Sequence, residues 1–230
     1  ADHDALGPID VEASGVEVLS ILGPNGSGKS TLLSLLAGIL NPRVGRVVLH
    51  HETSAACGME DVGAANDQRP LPPMPRGRRV AWLPQIERLS FSLSVFDYAL
   101  LGRLPHVGLF GMPGAADRDK VAAALAATGL DALAERPVNE LSGGELQLAR
   151  IARCLAQETA VVVLDEPAAM LDPANALAIA DALCALAATG RIMICSSHDP
   201  AFAAHVAHRA ILLRHGKLLA CCLLYTSRRG

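Results

Sequence analysis

At 230 residues the chain is long enough for one substantial core or two small lobes, and a formal net charge of −3 gives no general attraction to nucleic acid or anionic lipid. A hydrophobic share of 51% invites a membrane reading, but no apolar run reaches the roughly eighteen residues that span a bilayer, so a soluble chain is expected. Six cysteines, Cys57, Cys154, Cys184, Cys195, Cys221 and Cys222, are scattered without a Cys-x-x-Cys pair and are read as buried free thiols in a reducing compartment rather than disulfides or metal ligands.

The opening ADHDALGPID has neither the basic region nor the apolar core of a signal peptide, which argues against secretion. VEVLSIL (16–22) then reads as a buried strand that runs into GPNGSGKS and the helical TLLSLLAGIL. GRVVLH (45–50) is predicted as a further strand, and the polar, Gly- and Pro-rich stretch that follows, through residue 75, as a surface loop or insertion. RRVAWLPQ gives a short strand ending at Pro84, and residues 86–140 carry helical patterns split by a Gly/Pro turn, as expected of a helical subdomain. The remainder alternates: helix GELQLARIARCLAQ, strand AVVVLDEP, helix ANALAIADALCALAATG, strand RIMICSS, helix AFAAHVAHR, strand AILLRH, then a turn and strand GKLLA. Strands written as unbroken apolar runs between helices imply a parallel sheet covered on both faces. The last ten residues, CCLLYTSRRG, break this pattern, and CLLYTS resembles a translated sequencing adapter, so 221–230 is set aside as a non-native tail.

Three segments carry chemistry. In Gly23-Pro24-Asn25-Gly26-Ser27-Gly28-Lys29-Ser30, small residues let successive backbone N–H groups wrap phosphates at a helix N-terminus, with Lys29 reaching the β- and γ-phosphates, Ser30 placed to ligate Mg²⁺ and Thr31 on the first helical turn. The apolar strand ending in Asp165-Glu166 is costly unless its charges are used: Asp165 can hold Mg²⁺ and Glu166 can polarise an attacking water. Ser142, Gly143 and Gly144 precede a helix and offer a hydroxyl and free N–H groups, a second phosphate-recognition device; Ser142 with Glu145 also fits a capping box, and both readings can hold at once.

LSGGE lying between a phosphate loop and a DEP strand end resembles the signature of the ABC ATPases. That resemblance covers nearly all of residues 7–220 and implies an α/β fold of the P-loop NTPase (RecA-like) kind. Its parallel-sheet core would comprise 1–85 and 141–220, with an α-helical subdomain inserted at 86–140. It also implies that Gln85 in AWLPQ is the Q-loop glutamine contacting Mg²⁺ and the attacking water, that Leu171-Asp172 is the D-loop facing a second subunit, and that His198 in SSHDP is the switch histidine at the γ-phosphate. The run GRLPHVGLFG is similar to the ATPases that energise import of iron–siderophore complexes, haem and cobalamin. The implied assembly is a head-to-tail pair of cassettes, binding ATP and Mg²⁺, on the cytoplasmic face of the membrane. Permease subunits and, indirectly, a solute-binding protein would be its partners, and nucleic acid would not.

Three departures stand out: no aromatic precedes Trp82 to stack on adenine, as if the first strand and adenine loop were cut off; 51–76 is longer than the family's usual connection; and the D-loop reads AAMLD where small hydroxyl residues are common. A DNA-repair or chromosome ATPase of this type would place a long coiled coil before the signature, and no heptads occur. A degenerate regulatory cassette is opposed by the intact Lys29, Asp165, Glu166 and His198. Residues 86–112, with Phe91, Phe96 and Phe110, are expected to form the permease-docking surface, at least one Phe remaining exposed.

Overall fold

The computed structural model describes residues 6–14, 17–49, 76–87, 92–107 and 111–224. Its centre is a six-stranded sheet. β1 (Val18–Leu22) lies between β4 (Ile192–Ser197) and β5 (Arg209–Arg214); β3 (Val161–Leu164) joins β4 to β2 (Val80–Leu83), and β6 (Lys217–Leu223) closes the far edge. The first five strands in that row pair in parallel, in the order β2-β3-β4-β1-β5.

Burial explains why these strands read as continuous apolar runs. Val162 and Leu164 of β3 point into one core cluster, while Val161 and Val163 point into the other. With both faces covered there is no polar side for alternate residues to occupy. The smaller cluster is capped by Leu32 and Leu33 of α1 (Lys29–Leu36). The larger one continues from the sheet through α5 (Pro173–Ala187) and α6 (Pro200–Val206) into the helical lobe. There α2 (Val95–Leu100), α3 (Ala115–Ala127) and α4 (Gly143–Ala156) contribute Tyr98, Leu125 and Ile151 to the same cluster. The lobe therefore shares one core with the sheet, and α4, which begins after the predicted boundary at 141, packs on α2 and α3.

Several local expectations need correction. Residues 46–49 of the predicted strand GRVVLH form no strand; Val47 and Val48 are exposed, and among the described residues no segment pairs with them to make a ladder. The sheet is also not parallel throughout, because β5 turns back into β6 through His215 and Gly216, both at positive φ (48° and 71°). That is the backbone a tight two-residue hairpin requires. The pattern break expected at 221 does not occur either: Cys221, Cys222 and Leu223 pair with β5, through backbone bonds that ask nothing of their exposed side chains. Cys154, Cys184 and Cys195 are buried as expected, whereas Cys221 and Cys222 are exposed because they lie on the sheet's edge strand; Cys57 lies outside the described residues. Burial pushes the Cys154 thiol up to about 11 and that of Cys195 to about 12, so both are inert near neutral pH.

Candidate functional site

The phosphate loop leaves β1 at its C-terminal end and turns into α1 at Lys29. Glycine is demanded by space at Gly23, where a Cβ would lie 2.3 Å from the Leu213 carbonyl oxygen, and by backbone conformation at Gly28, with φ at 102°. The loop is clasped by hydrogen bonds from Ser27 N–H to the Pro24 carbonyl (3.2 Å) and from Gly216 N–H to the Ser27 carbonyl (3.0 Å). Pro24, Asn25, Gly26 and Ser30 are exposed, and Thr31 is half-buried. Lys29 is only 5% exposed; its Nζ curls back to donate to the carbonyls of Gly23 (2.8 Å) and Pro24 (3.3 Å). The buried Ser27 hydroxyl has no protein partner among the described residues.

The end of β3 lies beside this loop. Asp165, 3% exposed, accepts a hydrogen bond on Oδ1 from the Ser196 hydroxyl (2.6 Å), and the same hydroxyl oxygen accepts the N–H of Glu166 (2.8 Å). Glu166 takes a left-handed backbone conformation (φ 48°), an uncommon one for a non-glycine residue. Its carboxylate thereby meets three groups: Lys29 Nζ at 3.5 Å, Gln85 Nε2, which donates at 3.1 Å, and His198 Nδ1 at 3.5 Å. Lys29, Gln85, Asp165, Glu166 and His198, far apart in sequence, thus come together at the C-terminal ends of β1, β2, β3 and β4. Ligands of open α/β sheets characteristically bind at this end.

The second phosphate-recognition segment leads α4. Ser142 caps α4: its hydroxyl accepts the Glu145 N–H (3.3 Å) and the Glu145 carboxylate accepts the Ser142 N–H (2.8 Å), so the capping box is formed. These bonds hold the Glu145 carboxyl below the usual carboxylate range. Gly143 and Gly144 adjoin Leu171 and Asn175 of the same chain; a Cβ on Gly144 would lie 2.5 Å from the Asn175 side chain. Among the described residues no hydrogen bond or ion pair joins residues 142–144 to the phosphate loop. Asp172 caps α5 through the Asn175 N–H (2.9 Å) and side chain (2.6 Å), which lower its carboxyl.

Sequence reasoning missed Ser196. A hydroxyl inside the apolar run RIMICSS is the available signal, because a fully buried polar side chain must find a partner. Of the proposed docking aromatics, Phe96 is half-buried beneath Arg118, whose guanidinium lies 5.9 Å from the ring centre, while Phe91 and Phe110 fall outside the described residues. Among the described residues of this stretch, the exposed large apolar side chains are Ile86, Leu101, Leu104 and Met112.

Known proteins resemble this chain in sequence and in structure. The family model described as ABC transporter matches residues 6–169. A Helicobacter pylori protein named "Probable iron chelatin transport ATP-binding protein" is 34% identical over 202 residues, covering 87% of this chain and 74% of its own. The hemin import ATP-binding protein HmuV of Myxococcus xanthus is 37% identical over 224 residues, covering 93% and 77%. Among solved structures, an inward-facing conformation of a metal-chelate type ABC transporter superposes with a TM-score of 0.79 at 29% identity, over 95% of this chain and 76% of that one. A dimeric post-hydrolysis state of the cassette MJ0796 bound to ADP and Pi superposes with a TM-score of 0.74 at 25% identity, over 98% and 91%.

Proposed function

Because the chain belongs to the ABC transporter family, we propose that it is the ATP-hydrolysing subunit of an importer of iron chelates or haem. The convergence of Lys29, Gln85 and His198 on the Glu166 carboxylate carries the reading of the site. The relatives named for iron chelatin and hemin transport support the solute class.

In this reading the loop N–H groups of Gly23 and of residues 25–31 cradle the ATP phosphates, and the Lys29 ammonium leaves the loop carbonyls and Glu166 for the β- and γ-phosphate oxygens. Freed from Lys29, the Glu166 carboxylate accepts a proton from a water that attacks the γ-phosphorus as the bond to the β–γ bridging oxygen breaks, giving ADP and phosphate. Gln85 orients that water and His198 donates to the γ-phosphate. Ser30, Gln85 and the buried Asp165 offer the hard oxygen donors that Mg²⁺ prefers, and a bound Mg²⁺ supplies neutralisation of phosphate charge.

Cassettes of this family act as dimers with membrane permease subunits. Ser142 and Gly143 are exposed, and among the described residues no hydrogen bond joins them to their own phosphate loop, which supports a head-to-tail pair in which Ser142, Gly143 and Gly144 of one subunit cover the ATP of the other. Docking on a permease falls to residues 86–112, directly after Gln85, where Ile86, Leu104 and Met112 are exposed. Among the described residues no helix is long and apolar enough to cross a membrane. The relatives named as ATP-binding proteins of transport and import systems support attachment as a peripheral subunit at the cytoplasmic face. A solute-binding protein completes the importer.

Glu166→Gln and Lys29→Ala test the assignment. Glu166→Gln is expected to abolish phosphate release while keeping or strengthening ATP binding, and Lys29→Ala to weaken binding itself. Equal loss of affinity in both, measured by fluorescent-nucleotide titration, contradicts these roles.

A further inference from the structure

We propose that Glu87 is a positioning residue that ties α4, the helix led by Ser142, Gly143 and Gly144, to Gln85 and through it to Glu166, so that occupancy of one ATP site is felt at the other. This rests on the head-to-tail ATPase reading above and adds to it a residue and a coupling.

Gln85 holds the Glu166 carboxylate through a hydrogen bond of 3.1 Å. Two residues on, the Glu87 carboxylate is gripped from two helices. Arg153 of α4 donates to its Oε1, Arg150 of α4 places Nε 3.4 Å from Oε2, and the hydroxyl of Tyr98 on α2 donates to Oε2 at 3.1 Å. Arg150 also donates through Nη2 to the Glu87 main-chain carbonyl (3.1 Å). All three charged side chains are largely buried, Glu87 at 19% exposure, Arg150 at 10% and Arg153 at 18%, so these pairs are poorly screened by solvent. Burial pushes the Tyr98 phenol well above its ordinary value, against the opposing field of Arg153, and a protonated hydroxyl is what the bond to Glu87 needs.

The consequence is mechanical. Arg150 and Arg153 stand three apart, on one face of a 14-residue helix whose first turn is fixed by the Ser142–Glu145 capping box. Ser142 lies eight residues before Arg150, about 12 Å along the axis at 1.5 Å per residue, and a helix packed on α2 and α3 moves as a body. Only Ile86 separates Gln85 from Glu87, and the Glu87 main-chain carbonyl is itself held by Arg150, so a movement of α4 acts on this backbone directly. When a partner's ATP draws residues 142–144 towards it, the arginines carry Glu87, Glu87 carries Gln85, and the hydrogen bond to Glu166 is made or broken in this chain's own site. Coupling requires an element with two arrangements, and the Gln85–Glu166 bond, made or broken, is that element.

The test is steady-state ATP hydrolysis by the full chain as a function of ATP concentration, for wild type, Glu87→Gln, Glu87→Asp and Tyr98→Phe, with fluorescent-nucleotide binding measured alongside. Wild type is expected to give a Hill coefficient clearly above one, approaching the ceiling of about two that two sites allow. Glu87→Gln is expected to bring it to about one and to lower kcat about tenfold, with nucleotide affinity changed less than about twofold. Glu87→Asp should recover part of the cooperativity. If loss of the charge prevents folding, Tyr98→Phe decides: it removes one bond to Glu87 and is expected to lower the Hill coefficient. Unchanged cooperativity in every folded variant overturns the inference. A wild type that hydrolyses ATP without cooperativity overturns the coupling alone, and a wild type that binds and hydrolyses no ATP removes the functional reading and the coupling together.

Discussion

Removing one oxygen atom, in Ser196→Ala, tests how the carboxylates of the site are held. The Ser196 hydroxyl is fully buried, donates to Asp165 Oδ1 at 2.6 Å and accepts the Glu166 N–H at 2.8 Å. A hydrogen bond to a charged group contributes about 1.5–3 kcal/mol, and a buried N–H left unpaired costs about 1–3 kcal/mol more, so a loss of roughly 2–4 kcal/mol is expected, allowing for partial relaxation. For a chain of this length that corresponds to a fall in Tm of roughly 5–15 °C. Because the same bond helps hold Glu166 in its left-handed backbone, kcat should fall about 10–100-fold, which is about 1.4–2.8 kcal/mol of barrier. Nucleotide affinity should change little, since the phosphate loop is untouched. Calorimetry, phosphate release and fluorescent-nucleotide titration on the same preparation separate these effects. A variant that melts with wild type and turns over at the wild-type rate refutes the positioning of Glu166 by Ser196.

Two further perturbations bear on the helical lobe. Arg103 donates to Asp117 at 2.8 Å and, with the Gly114 N–H, holds that carboxyl below its ordinary value. A depressed folded-state pKa gives stability that is present above the unfolded value, about 3.9, and lost as pH falls through the folded one. The gap in urea midpoint between wild type and Asp117→Asn should therefore be wide at pH 7 and shrink at pH 3; a gap independent of pH contradicts this. Gly102→Ala would drive a Cβ to 2.2 Å from the Arg153 carbonyl oxygen, backbone that cannot swing away. A destabilisation of about 1–3 kcal/mol or more is expected by chemical denaturation, and wild-type stability would show the close approach to be relaxed.

The strands buried on both faces were legible because an unbroken apolar run such as Val161–Leu164 leaves no side that could face water, and Lys29, Asp165 and Glu166 stood out as candidates because charges at the ends of buried elements are costly unless they meet partners. What escaped were pairings between distant positions. Ser196 lies 31 residues from Asp165, and Arg150 lies 63 from Glu87; periodicity reports which face a side chain occupies, not what it meets there. GRVVLH was over-read for the opposite reason, since its valines fit a strand but nothing among the described residues pairs with them. The turn between AILLRH and GKLLA was legible at His215-Gly216, and two positive φ values in so short a connection make the return of β6 antiparallel.

If a complete ATP site needs the phosphate loop of one subunit and residues 142–144 of another, mixing two inactive variants tests that requirement most directly. Lys29→Ala lacks a working phosphate loop but keeps the covering segment; Ser142→Arg keeps the loop but blocks the covering segment. Each alone should be inactive, and in a two-fold pair random exchange makes about half the dimers mixed, each with one complete site and one doubly damaged, so mixing should restore between a few per cent of wild-type hydrolysis, where the complete site also needs the coupling through Glu87, and about a quarter, where it does not. Full activity of Ser142→Arg by itself, or no recovery on mixing when subunit exchange is verified, would contradict the shared site.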